Sequence, residues 1–165
     1  MSAARGIVLG FIAGALAVLI FHQGMYYLLA TSNMGVSGQP WRTNPVPLWP
    51  DLMRALSYQA LTVPRIANEM VWGGMWGALF GLIADRMPGG PTWVKGFIFA
   101  CIFPMLIGAW LVLPLIRGTP ILSGFLADYN PVRLRTGFLL NGLAFGLGLG
   151  IIYSLIRGRR AEAWS

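Results

Sequence analysis

Four apolar runs, residues 6–30, 66–84, 93–116 and 136–156, constrain this chain more than any other feature of it. A helix rises about 1.5 Å per residue and the hydrocarbon core of a bilayer is about 30 Å thick, so a run of about 20 apolar residues matches one crossing. Composition agrees, because 56% of the 165 residues are hydrophobic and only 10% are charged, whereas a soluble domain carries about 25% charged residues. The pattern predicts an all-α membrane protein in which four transmembrane helices form a single polytopic domain over residues 1–165. The first run exceeds the apolar core of a signal peptide, about 7–15 residues, and so reads as a retained helix.

Asp85-Arg86-Met87-Pro88-Gly89-Gly90-Pro91 stops the second run and starts the third, which makes those two helices a hairpin. With four crossings, both termini share a side with that turn. Arg5, Arg86, Lys95, Arg157, Arg159 and Arg160 then fall on the terminal side, and Arg42, Arg54, Arg65, Arg117, Arg133 and Arg135 fall opposite. Cations in short loops orient a membrane protein most strongly, so the termini are expected in the cytoplasm. The formal net charge of +7 flanks the runs instead of forming one basic face, which argues for the lipid bilayer, and against nucleic acid, as the partner of these cations.

In the first long connection Trp41 and Trp49 alternate with Pro40, Pro45, Pro47 and Pro50, and tryptophan favours the headgroup zone. Beyond it, Leu52, Met53, Leu56, Ala60 and Leu61 recur at near-helical spacing, interrupted by Arg54, Ser57 and Gln59. That spacing predicts a short amphipathic interfacial helix over residues 51–61. The second connection carries Ile121, Leu122, Phe125 and Leu126 in a segment too short to cross.

Glycine recurs every fourth residue in three runs: Gly6, Gly10 and Gly14; Gly73, Gly77 and Gly81; Gly142, Gly146 and Gly150. Residues four apart share a helix face, and glycine there lets two backbones approach closely where lipid provides no hydrophobic drive between helices. These stripes predict packing seams. The third run lacks a glycine ladder but holds Pro104 and Pro114, each of which removes a backbone donor.

Polar side chains inside apolar runs cost free energy unless they find partners. Here they are His22, Gln23, Asn68, Glu69 and Asn141, all expected at the end of the bundle from which the long connections emerge. Glu69 lies four residues before Gly73 on the seam stripe and needs a donor or a proton. It is expected to converge with His22 and Asn141, with Arg65 one turn away, and to be the costliest of them to replace. The set reads as a helix-register cluster first and a ligand or proton site second.

Cys101 is the only cysteine, so neither an intrachain disulfide nor a thiol pair for metal is available. No paired histidine or Cys-x-x-Cys-His offers haem ligation, and no phosphate loop, nucleophile elbow, zinc spacing or dinucleotide fingerprint occurs. No cofactor, metal or catalytic residue is therefore expected. Trp72 and Trp76, one turn apart, have the spacing to stack on a pigment, quinone or lipid, though such stripes are more often core.

At Phe21-His22-Gln23-Gly24, Trp72-Gly73-Gly74, Trp76-Gly77 and Asn141-Gly142 the chain resembles small four-helix inner-membrane proteins of proteobacteria, a group without an assigned activity. The resemblance implies a bacterial inner membrane. Abundant seams beside scarce catalytic groups favour a non-enzymatic accessory or scaffold subunit, associated with other membrane subunits or with itself. A small transporter or channel subunit with a polar site in the outer leaflet is the alternative, and a membrane-embedded enzyme acting on a lipid or isoprenoid comes third.

Overall fold

The computed structural model describes residues 2–49, 53, 56–59, 61–112, 114, 115, 118–120 and 131–158. Among these residues four long helices follow one another up and down. The first, α1, spans Ala3–Thr31 and contains a π-helical stretch at Val18–His22. Arg65–Ile83 forms α2. Thr92–Val112 forms α3, whose second half, Cys101–Val112, is π-helical around Pro104. Pro131–Gly137, Phe138–Phe145 and Gly146–Arg157 run on as α4, with the middle segment again π-helical.

Among the described residues three helices, Ala3–Thr31, Thr92–Val112 and Leu134–Arg157, are long and apolar enough to cross a membrane. The sequence leads one to expect four. Helix α2 has 19 residues, enough for about 28 Å at 1.5 Å per residue, but it falls short in apolarity because Arg65, Asn68 and Glu69 occupy its first turns.

Helix ends follow local chemistry. Ser2 caps α1 by accepting the Arg5 N–H at 3.4 Å, and α2 and α3 begin directly after Pro64 and Pro91, whose extended backbones lead into the first turn. Gly158, at φ 82°, closes α4 in a conformation that side chains resist.

The glycine stripes of α1 and α2 face each other in antiparallel register. A Cβ built at Gly10 would collide with the Gly77 carbonyl, one at Gly14 with the Gly73 carbonyl, and one at Gly81 with the Gly6 carbonyl. The stripe of α4 meets α3, where its counterpart is Gly96, Ala100 and Cys101 at near-helical spacing. A Cβ at Gly146 would lie 2.7 Å from that of Ala100, and one at Gly142 would lie 2.9 Å from Cys101 Sγ. The partner surface on α3 is thus small residues of mixed type, which is why a search for glycine alone passes over it.

Between the seams lies an aromatic core in which the Phe80 ring sits 5.3 Å from Phe99 and 5.4 Å from Tyr153, binding α2, α3 and α4 together. The buried Tyr153 hydroxyl donates to the Gly81 carbonyl at 3.4 Å. At the same end, Arg157 of α4 reaches Asp85 in the α2–α3 turn at 2.5 Å, with side chains 35% and 44% exposed. This ion pair ties α4 to the α2–α3 turn, but water competes for it. Asp85→Ala is expected to lower stability by no more than about 1 kcal/mol in thermal melts, and less at high salt. A larger loss would mean that the pair organises this end of the bundle.

The long connection contains a feature that its composition hides. Pro45–Pro47 (β1) and Thr62–Pro64 (β2) pair antiparallel, with Val46 opposite Val63. Proline cannot donate, yet Pro45, Pro47 and Pro64 fall at positions where the ladder needs no donor. The flanking bonds come from Leu48 N to the Leu61 carbonyl, 2.6 Å, and from Arg65 N to the Asn44 carbonyl, 3.0 Å. Of the interfacial helix expected over 51–61, residues 51, 52, 54, 55 and 60 lie outside the described residues, as do Ile121, Leu122, Phe125 and Leu126; Met53 is helical, whereas residues 56–59 and 61 are not. Within that stretch Leu56 and Tyr58 are exposed and Ser57 stands at φ 59°.

Candidate functional site: a polar cluster under a strap

The end of the bundle opposite the termini collects the last two turns of α1, the first turns of α2 and a strap, residues 32–49, that forms the first part of the connection between them. Gln23 lies at the centre. It projects from the point where the π-helical stretch returns to α-helix, and only 3% of it is exposed. Its Nε2 donates to Glu69 Oε2 at 2.7 Å and lies 3.3 Å from His22 Nδ1. Its Oε1 accepts the main-chain N–H of Trp41 at 2.8 Å. The amide orientation is thereby fixed, since a main-chain N–H can only donate and the carboxylate accepts.

Glu69 is held from the other side by its own helix, where Arg65 Nε donates to Oε1 at 3.2 Å. Both carboxylate oxygens are therefore engaged. The pair is open to water on one flank, with the Arg65 and Glu69 side chains 42% and 31% exposed.

Trp41 fastens the strap at two points. Besides its main-chain bond to Gln23, its indole N–H donates to the Leu19 carbonyl at 2.8 Å. The π-helical turn makes that carbonyl reachable: Gln23 N–H donates to Val18 and Ile20 and passes over Leu19. Trp41 stands at φ 50° and Trp49 at φ 42°, a left-handed backbone that a bulky residue tolerates only when its contacts overdetermine it. For Trp49 the contact is Trp72, ring centroids 6.3 Å apart, which in turn meets Trp76 edge-on at 5.6 Å. Upstream, the Tyr26 hydroxyl donates to the Ser37 carbonyl at 2.5 Å. Downstream, Ile66 N donates to the Arg42 carbonyl at 2.8 Å.

Of the five polar residues singled out by sequence, the structure brings together His22, Gln23 and Glu69, with Arg65 added. Asn141 stays apart, its Nδ2 donating to the Gly137 carbonyl one turn back on α4 at 3.2 Å. An asparagine in an apolar helix has two ways to satisfy its amide, across to a neighbour or back to its own main chain, and sequence spacing cannot tell them apart. Asn68 lies on the stripe of α2 shared by Trp72 and Trp76. Asn68 Oδ1, Trp49 Nε1 and Trp76 Nε1 are buried without a hydrogen-bond partner. Trp41 is the member that sequence reading misses in this role. Tryptophan between prolines signals an interfacial anchor, whereas its grip on Gln23 depends on a backbone conformation that the residue type argues against.

Among the described residues no group of three or more His, Cys, Asp or Glu side chains is placed to hold a metal ion. Comparison with protein-family models, with curated proteins and with solved structures finds no match to this chain.

Proposed function

We propose that the chain is an integral protein of a bacterial inner membrane, with both termini cytoplasmic, and serves as a non-enzymatic accessory or scaffold subunit of a larger membrane complex. The observation that carries this reading is the way the polar cluster is engaged. Glu69 and Gln23 bond each other, Arg65, His22 and the Trp41 main chain, an arrangement suited to fixing helix register and holding a strap in place. Around it the bundle presents an apolar exterior, with Val8, Ile20, Leu28, Leu115 and Leu155 all more than half exposed, which lipid or neighbouring helices would cover.

Gentle detergent extraction from cells expressing the tagged chain at its native level tests the role. Co-elution with another membrane protein at fixed stoichiometry is the expected result, and a chain that elutes alone would rule the accessory role out. Topology is checked separately with single cysteines at Ser2 and Gly89 in a Cys101→Ser background. Both are expected to resist an impermeant thiol reagent in intact cells and to react once the membrane is opened. Labelling of both in intact cells would reverse the assigned orientation, and labelling of one alone would overturn the four-span topology.

The alternative, a small transporter or channel subunit, has one observation in its favour. Asn68 Oδ1, Trp49 Nε1 and Trp76 Nε1 are buried polar atoms left without partners, and such atoms call for an explanation that a bound molecule or an ordered water would supply.

A further inference from the structure

We propose that Glu69 is a proton-binding site that works a latch: ionised, it orients the Gln23 amide to hold the strap at Trp41, and protonated, it turns that amide over and lets the strap go. The latch operates whether or not the chain serves a larger complex.

Donor and acceptor polarity runs in one direction along a chain of four groups. Arg65 Nε donates to Glu69 Oε1, Gln23 Nε2 donates to Glu69 Oε2, and Gln23 Oε1 accepts from Trp41 N. Every link is satisfied while both Glu69 oxygens act as acceptors. A proton added to the carboxylate must sit on one oxygen. Arg65 can only donate, and its bond to an oxygen is charge-assisted, so Oε1 is kept as the acceptor and the proton goes to Oε2.

The hydroxyl oxygen accepts more weakly than a carboxylate oxygen, and in the rotamer that points its O–H at Gln23 Nε2 donor meets donor. Rotation of the Gln23 amide brings its Oε1 round to accept from Glu69, but this sets Nε2 against the Trp41 N–H. Trp41 loses its acceptor, and the left-handed backbone that two bonds had held keeps only the indole bond to Leu19.

Two further titratable or charged groups border the latch. His22 Nδ1 lies 3.3 Å from Gln23 Nε2 and favours the same amide orientation while it accepts; an imidazolium there would act in the same direction as the proton on Glu69. From the strap, Arg42 turns its guanidinium over the Tyr26 ring, 5.8 Å from its centroid.

The decisive role of Arg65 gives the latch a signature that simple loss of stability lacks. Glu69→Gln reproduces the protonated state: with Arg65 present, the carbonyl of the substituted side chain faces Arg65 and its NH2 faces Gln23, so the latch opens. When Arg65→Ala is added, the amide introduced at position 69 is free to present its carbonyl to Gln23, and the latch closes again.

The readout is the hydrogen-exchange protection factor of the Trp41 amide in the full chain reconstituted in liposomes, with amides of 146–153 in α4 as an internal reference. Protection at Trp41 is expected to fall about tenfold in Glu69→Gln, to recover in Glu69→Gln with Arg65→Ala, and to leave the reference unchanged. In the unmodified chain it falls as pH is lowered, and in Glu69→Gln that fall is smaller because only His22 can still gain a proton there. Unchanged protection in Glu69→Gln, no recovery in the double variant, or an equal loss at 146–153 would each overturn the proposal.

Discussion

Replacing Gly77 by alanine is expected to destabilise the bundle by about 1–3 kcal/mol, toward the upper end of that range. The added Cβ would collide with the Gly10 carbonyl and lie 2.8 Å from the Gly14 Cα. Those obstructing atoms are main chain, so no rotamer change relieves the overlap, and α1 and α2 must separate along the whole seam. Gly24→Ala provides the control, because nothing lies within 4 Å of a Cβ there and alanine favours a helix over glycine by up to about 1 kcal/mol. Thermal melts of the detergent-solubilised variants check the pair. Equal behaviour of the two would mean that the seam does not hold the helices together.

The second large effect is expected at Gln23. Gln23→Ala strands Glu69 Oε2 and the Trp41 N–H at once, each loss worth about 1–3 kcal/mol when the group stays buried, and leaves a void where an almost fully buried side chain stood. Glu69→Ala is milder. It removes an acceptor from Gln23 Nε2, which still has His22 Nδ1 nearby, and frees Arg65, which is 42% exposed and can turn to water. Melts of both variants under one condition should therefore rank Gln23→Ala as the less stable. The opposite order would place the junction of the cluster at Glu69, as the charge of that residue alone leads one to expect.

That contrast shows what kind of information each level holds. Charge and spacing pick out Glu69 as the group with most to lose in an apolar helix, and they are right that it has partners. They do not reveal that a neutral amide from another helix bridges it to a strap. Nor could they decide that Asn141 would turn back to its own helix, or that Trp41 would accept a left-handed backbone to make two bonds. Each outcome depends on which groups come within about 3 Å of one another after the helices have docked, and alternatives that differ by one hydrogen bond are nearly equal in free energy until then.

By itself the sequence determined the four long helices of the described residues, their approximate extents and the glycine faces of three of them. Those properties arise from near neighbours along the chain: the length of an apolar run, the proline or glycine that ends it, and the periodicity that puts every fourth residue on one side. Only the tertiary structure decided which stripe meets which, that Gly96, Ala100 and Cys101 form the counterpart on α3, and that three prolines sit harmlessly in a two-stranded ladder. The same holds for Gln23, Glu69, Arg65 and Trp41, whose donors and acceptors form one chain. Such pairings join residues far apart in sequence, and what selects them is close packing of main chains together with the requirement that buried donors find acceptors.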